Sequence, residues 1–511
     1  MNRVLATVGL IVLWTSCAGA QGNPIQSGNI NSILWIGSNT GWSGDLGAQF
    51  NSAEAALPAN GGEIDVVPPS GSPPTYSVTS PLIFNKTVKL KCVRGGYTNG
   101  QTGPPPTGTP GGPVNFHTTT VLNYTWSGTG QAPPPIQMDT PMPITSISVD
   151  SSTGVATVVC PKTSWSVGCA VTQGQLVVFF NTNSSFNYNR NAPPPTGPLE
   201  FYVTATNTSN PTQFMVTALK TSASFSGTGG SMAFLGGALG SSIEGCQLNY
   251  SGTVSNQPAV FVDMDNSAND ILLDSMVVDT PTVEAGTAVF RYGETNPVVN
   301  ESCRDTFVRT AAPVAYLLLN ITAGFTGYNC AGFQSGYEEW SIGGTSASNQ
   351  IVEDFTCYGC TAQAGVNNNV AVYLQTVYGF HWYGGYMGVA GASTGQSTYA
   401  VEIVGPVARG IQVDGAFVSG YGNAAMPPSY PANVFGVFAA DSEITVTNNW
   451  IGGNFAPNAY VVNNPSSTRT IVTGNDVYPT GSTGMNIVET TAKTLQCGNV
   501  LNGNLISTCT F

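Results

Sequence analysis

The sequence predicts an all-β chain whose main body is a right-handed, single-stranded parallel β-helix carrying an inserted small β-domain. Three observations predict it. Short apolar stretches recur along the second half of the chain with a mean period of about 28 residues, inside the range of solenoid repeats. Those stretches are β-branched and alternate with a period of two, with no helical spacing. Glycine (61) and proline (34) are abundant, while charged residues make up only 8% of the chain. A chain of 511 residues is long for one globular core, so it needs either several domains or a repeat.

The chain opens with Arg3, an apolar run from Val4 to Trp14, and Ala18-Gly19-Ala20. This is the layout of an export signal with a small-residue cleavage site, which makes residues 1–20 the expected signal peptide and Gln21 the approximate mature start. The run is too short to span a bilayer, and no later stretch reaches the ~20 apolar residues of a membrane helix. The expectation is a secreted or periplasmic protein without membrane insertion. Lipid attachment at Cys17 is disfavoured by Trp14, where a lipoprotein signal carries a small aliphatic residue. The remaining ten cysteines suit an oxidising compartment. Cys160 with Cys169 and Cys497 with Cys509 are the nearest pairs. Cys357-Tyr-Gly-Cys360 reads as a bridge or as two buried thiols, because no second pair or nearby histidine completes a zinc site. A net charge of -13 with only 14 lysines and arginines argues against nucleic acid and anionic membranes, and also against densely anionic sugars.

Residues 21–142 are expected to form an N-terminal cap and the first coils. Asp45-Leu46-Gly47-Ala48, the run from Phe50 to Leu57, Gly61-Gly62-Glu63-Ile64-Asp65-Val66, Tyr76-Ser77-Val78 and Val88-Lys89-Leu90 resemble the start of pectate-lyase-superfamily β-helices. The resemblance is one of pattern and covers residues 40 to 95 plus the repeat register downstream. It implies a pectin-lyase-like fold in which a short helix, N-capped by Asp45, covers the open end of the core. Residues 143–235 have a different texture, with strands such as Val155-Ala-Thr-Val-Val and Phe201-Tyr-Val-Thr-Ala between proline-rich stretches. They are similar to the small β-barrel modules inserted in many secreted and phage-tail proteins.

Residues 236–511 carry the main repeat. Turns are expected at Gly245-Cys246, Asp274-Ser275, Asp305-Thr306, Asn329-Cys330, Asp354-Phe355, Tyr383-Gly384, Asp414-Gly415, Thr447-Asn448, Gly474-Asn475 and Gly498-Asn499. Glycine and asparagine tolerate the left-handed backbone of a sharp bend, so Gly384, Gly415, Asn448, Asn475 and Asn499 are expected to stack as a ladder. A second strand in each coil starts at a small residue, as in Ala259-Val260-Phe261-Val262, Ala288-Val289-Phe290 and Ala400-Val401-Glu402. Alternation then predicts an outward stripe of Phe261, Phe290, Leu317, Tyr373, Glu402 and Phe438.

The superfamily's best-known enzymes carry signatures that this chain lacks. There is no adjacent Asp-Asp pair, no Gly-His-Gly, no Arg-x-Lys and no Trp-x-Asp-His. His117 and His381 are the only histidines, so a histidine-based nucleophilic triad is not supported. Charge concentrates between 263 and 309, where Asp263-Met-Asp265-Asn-Ser267-Ala-Asn269-Asp270 reads either as an asparagine- and aspartate-rich turn or as oxygen ligands for calcium. With Ca2+ held by Asp263, Asp265 and Asp270, a polysaccharide lyase reading follows, in which Arg291 is the base or charge partner. The other chemistry is hydrolysis by two carboxylates. Glu338, in the coil of Trp340, and Glu402 lie two coils apart, roughly 9 to 10 Å, near the upper end of the spacing in inverting glycosidases. Tyr373, Phe290, Phe261 and Trp340 are the candidate sugar-contacting aromatics. The sequence thus supports a carbohydrate-active protein with a polysaccharide or glycan partner. The rival is a non-catalytic surface or adhesive protein in which the stripe is a seam, such as that of a homo-trimer. A phage tailspike is a third reading, disfavoured by the export signal.

Overall fold

The computed structural model describes residues 33–509 apart from 93–119, 161–170, 183–199, 207–212, 218–223, 281–286, 345–349, 365–369, 391–397, 422–431, 438–442, 454–461, 464–468, 480–493 and a few shorter pieces. The expected export signal, His117, Cys169 and Phe438 lie outside the described residues. Parallel coils dominate. Two sheets of thirteen strands, here A and B, and one of ten, here C, are each built by pairing a strand with its counterpart one coil away. The parallel β-helix expected from the repeat is the architecture of this chain. Among the described residues no helix is long and apolar enough to cross a membrane.

The interior is filled by like side chains stacked coil on coil. Phe325, Phe355, Phe380, Ile411 and Ile444 are successive partners in sheet A. The three rings lie nearly parallel with centroids 5.3 and 5.0 Å apart. Each is fully buried, which contributes about 1.5–3 kcal/mol per side chain before entropy is counted. The N-terminal end is closed by the helix Leu46–Ala56, which lays Leu46, Phe50 and Ala53 on the core. Asp45 caps it by accepting from the Ala48 amide and ties it to the first coil by accepting from the Ser80 amide. At the other end of the helix, Lys86 Nζ donates to the carbonyls of Glu54, Ala55 and Leu57, among the acceptors that a helix C-terminus leaves short of amide donors.

After Ile136–Met138 in sheet C the chain leaves the solenoid. It builds an eight-stranded antiparallel sheet from Met142–Pro143 to Ser231–Phe234. That sheet has its own buried cluster, including Ile147, Val158, Phe179, Phe201 and Phe214. The solenoid resumes in register: Ile243 pairs with Leu90, Leu248 pairs with Leu122, and Cys246 is bridged to Cys92.

The bend between sheets A and B follows the predicted logic with a different cast. Its left-handed position is held by Gly245, Ser275, Asp305, Asn329, Gly359, Gly384, Gly415, Asn448, Gly474 and Gly498. Asp354 has a positive φ of 54° but sits inside the strand Val352–Tyr358, and the bend of that coil is at Gly359. Asn475 and Asn499 follow the bend rather than occupy it. With Asn449 they form a buried ladder: Asn475 Oδ1 accepts from the Asn449 amide, and Asn499 Oδ1 accepts from the Asn475 amide. Each Nδ2 donates to a backbone carbonyl, Val413, Val446 or Val472. The ladder satisfies polar backbone that the bend leaves unpaired inside the core.

Disulfides join Cys303 to Cys330 and Cys357 to Cys360 in neighbouring coils. Gly327 stands between them, where an added Cβ would lie 2.6 Å from Cys357 Sγ. Cys497 and Cys509 are in hydrogen-bond contact as free thiols, not bridged as the spacing suggested.

Candidate active site

Sheet C carries the predicted stripe, and its register decides which side chains reach the surface. One row is Asp263, Arg291, Leu317, Ser341, Tyr373, Glu402 and Gly436. The row beside it is Val262, Phe290, Tyr316, Trp340, Val372 and Val401, and all of these are fully buried. The predicted stripe took Phe290 from the buried row, Leu317, Tyr373 and Glu402 from the outer one, and Phe261 from neither. It aligned the strands on Ala259, Ala288 and Ala315, whereas Val260, Ala288 and Val314 are the true partners. A shift of one residue moves a side chain to the opposite face.

Phe261, Phe290 and Trp340 are therefore core residues, at most 1% exposed. Phe290 packs on Tyr316 at 5.1 Å, and Tyr316 stacks on Trp340 at 3.9 Å. None of the three is presented to a ligand on the outer face. Leu317, Tyr373 and Glu402 do share the outward row, and Glu338 stands on the same strand as Ser341, three residues before it.

Glu338, Tyr373 and Glu402 form the chemically poised part of this face. Tyr373 and Glu402 are direct partners in adjacent coils, and Ser341 is the partner of Tyr373 on the other side. The Ser341 hydroxyl hydrogen-bonds the Glu338 carboxyl, a link the sequence reading did not include. Gln375 Nε2 donates to Tyr373 Oη at 3.3 Å and fixes the ring from its own strand. The Glu402 carboxyl is pushed up to about 7, first by burial and then by the negative charge of Glu338. Burial also raises the Glu338 carboxyl, against the opposing effect of its bond to Ser341. The Tyr373 hydroxyl is raised by burial foremost, with both carboxylates adding to the effect. Glu402 thus senses the charge of Glu338, and Tyr373 senses both carboxylates. Beyond Glu402 the next coil places Gly436, which has no side chain. On the earlier coils Ala288, Val314 and Leu317 form an apolar patch with Leu319 packed against it. A protonated carboxyl near neutral pH can donate to a leaving oxygen, and a second carboxylate can accept a proton from water.

The charged run from 263 to 309 has another role. Asp263 pairs with Arg291 in sheet C, Asp274 with Arg304 in sheet A and Asp279 with Arg309 in sheet B. Each pair joins direct register partners in two consecutive coils. One ion pair per sheet therefore clamps the same two coils together. Arg291 is committed to both Asp263 oxygens, at 2.9 and 3.0 Å, and to Glu294. It also lies four strands from Glu402 in the sheet order, so it is not brought to the carboxylate pair. The expected calcium ligands do not converge. Asp263 is held by Arg291, Asp265 is fully buried, and Asp270 accepts from Asn300 Nδ2 at 2.6 Å. Among the described residues no group of three histidine, cysteine or acidic side chains is placed to hold a metal.

No family model matches the sequence. No curated protein matches it either. Among solved structures, the Pseudomonas phage phi297 tailspike gp61 is similar at 12% identity over 89% of this chain and 73% of its own, with a TM-score of 0.30. A glycoside hydrolase is similar at 9% identity over 93% of this chain and 96% of its own, with a TM-score of 0.29. The Gp54 tailspike of Acinetobacter baumannii bacteriophage AP22, in complex with A. baumannii capsular saccharide, is similar at 10% identity over 89% and 77%, with a TM-score of 0.18.

Proposed function

We propose that this chain is an exported glycoside hydrolase that cleaves an extracellular polysaccharide on the outer face of sheet C. Glu402 is the general acid and Glu338 the general base. The observation that carries the reading is the Glu402 carboxyl held near 7 beside a second half-buried carboxyl and a tyrosine. In the step proposed, Glu402 gives its proton to the glycosidic oxygen as the bond to the anomeric carbon breaks. Glu338 takes a proton from the water whose oxygen forms the new bond to that carbon. Strands two coils apart, roughly 9 to 10 Å, suit an inverting arrangement with a water between the carboxyls. Tyr373 forms the wall between them. The substrate is a neutral glycan: two acidic groups face it, and the nearest arginine of the row, Arg291, is neutralised by Asp263 and Glu294. The layout of residues 1–20 supports the export part of this reading.

The test is release of reducing ends from a panel of neutral and acidic polysaccharides by the wild type, Glu402→Gln and Glu338→Gln. Reducing ends without unsaturated products, lost in both variants, is the expected result. Activity that survives in Glu402→Gln, or unsaturated products that require calcium, overturns the assignment.

A further inference from the structure

The outer face of sheet A holds a groove of about 230 Å³ on the strands Val377–Tyr383, Ala408–Asp414, Glu443–Thr447 and Arg469–Thr473. A flat sheet needs a missing side chain to open a groove, and Gly410 supplies it. Its backbone is left-handed with φ +65°, and an added Cβ would meet only the backbone of Gly379, at 3.6 Å and beyond. Along the floor, His381, Gln412, Thr445 and Ile471 are successive partners, one per coil. Glu443 and Arg469 are partners of opposite charge and line one side. Outside the groove's lining, Tyr328, Tyr358 and Tyr383 stack at 5.2 and 5.3 Å in successive coils that lead up to it. Tyr383 Oη donates to Gln412 Oε1 at 3.4 Å, which orients the amide and leaves its Nε2 as a donor. His381 lies parallel to Tyr383, and its Nδ1 is buried without a hydrogen-bond partner.

We propose that this groove is a saccharide-binding site separate from the carboxylate pair, and that it takes a neutral oligosaccharide lying along the solenoid axis. The lining offers an amide, a hydroxyl, an imidazole, a carboxylate and a guanidinium, a set that both donates to and accepts from sugar hydroxyls. Its opposite charges are matched in register, so it gives no net attraction to a polyanion. Ile471 adds an apolar contact for a ring face. Three successive coils, ~4.8 Å apart, put His381, Gln412 and Thr445 on the floor, one polar side chain each, a periodic array suited to a chain of repeating hydroxyl-bearing units. The site lies on a different sheet from Glu402 and does not depend on the catalytic assignment.

The experiment is affinity electrophoresis of Glu402→Gln, so that no cleavage intervenes, through gels containing soluble β-glucan, xylan, mannan or α-glucan. The same protein is run with Gln412→Ala, Thr445→Val or Tyr373→Ala added. Retardation by at least one polymer, weakened about tenfold in dissociation constant by Gln412→Ala and less by Thr445→Val, is expected. Both positions are half-exposed, and unchanged thermal unfolding confirms that the variants fold. No retardation by any polymer overturns the proposal. Retardation that depends on Tyr373 but not on Gln412 or Thr445 also overturns it, by assigning all binding to sheet C. Reducing-end release by the wild type is read separately, so failure of the groove and failure of the hydrolase are told apart.

Discussion

Two stretches of the solenoid handle charge in opposite ways. In the coils from Val260–Met264 to Phe307–Thr310, one aspartate of each of the three sheets faces an arginine one coil away, at the same register position. In the coils from Glu338–Ile342 to Thr398–Ile403, two glutamates share a face, burial raises both, the charge of Glu338 raises Glu402 further, and tyrosine and serine are their polar neighbours. The density of charge in the first stretch marks a scaffold. The scarcity of compensation in the second marks a place where a proton can be moved, because a carboxyl deprived of a cation and of water keeps its proton near neutral pH.

The contrast breaks if substitutions in the two stretches act alike. The largest effect is expected at Glu402→Gln, which lowers turnover on the cleaved polysaccharide by about 10²–10⁴-fold without changing the unfolding midpoint. Kinetics and calorimetry on one preparation check both halves. Next is Arg291→Met, which removes the guanidinium from the fully buried Asp263. Denaturant unfolding should show a loss of about 3–5 kcal/mol, while turnover per folded molecule is retained.

The exception within the scaffold stretch gives a smaller effect. Glu301 is buried beside Tyr292 and receives only a weak hydrogen bond, from the Ile271 amide. Burial, and then the charge of Asp270, raise its carboxyl well above the ordinary value. A raised acid favours the folded state fully only below its unfolded value of about 4.3, and the contribution is lost as pH rises above that. Glu301→Met should therefore raise stability by about 1–3 kcal/mol near neutral pH and by less at mildly acidic pH, as thermal unfolding across pH would record. The smallest effect is expected at Arg304→Ala. Its side chain is 52% exposed over a buried Asp274 that keeps the Ser275 hydroxyl as a donor, so this water-screened guanidinium is expected to contribute about 1 kcal/mol. If Arg304→Ala matched Arg291→Met, burial would not be what separates a clamp from a surface pair.

Much of the solenoid was legible because its causes are local. The left-handed bend selects glycine and asparagine, and Gly384, Gly415 and Asn448 hold that position as read. Asn475 and Asn499 were misassigned by one residue because asparagine suits two adjacent roles, the bend itself and the buried ladder behind it. The same ambiguity displaced the stripe of sheet C. Both Ala288 and Val289 are small apolar residues that can begin a strand, and only pairing with neighbouring coils reveals which row faces the core. Phe290 and Trp340 were lost to the site for that reason, while Tyr373, Glu402 and Glu338 kept outward places on the face. The role of the charged run was visible in principle. Asp263 and Arg291, Asp274 and Arg304, and Asp279 and Arg309 are each about one repeat apart, the signature of an ion pair between coils. The groove on sheet A had no such signal, because Gly410 and Gln412 act through a gap that forms only when four coils are stacked.

The central claim rests on the protonation of one carboxyl, so its titration is the most direct test. Glutamate side chains labelled with carbon-13 can be followed by NMR across pH in the wild type and in Glu338→Gln, with Glu402→Gln used to assign the resonance. The account predicts a carboxyl at residue 402 that titrates at about 7 and moves to lower pH when the charge of Glu338 is removed. A Glu402 resonance that titrates in the ordinary range of about 4 to 4.5, indifferent to Glu338→Gln, would contradict it and leave the second stretch as inert as the first.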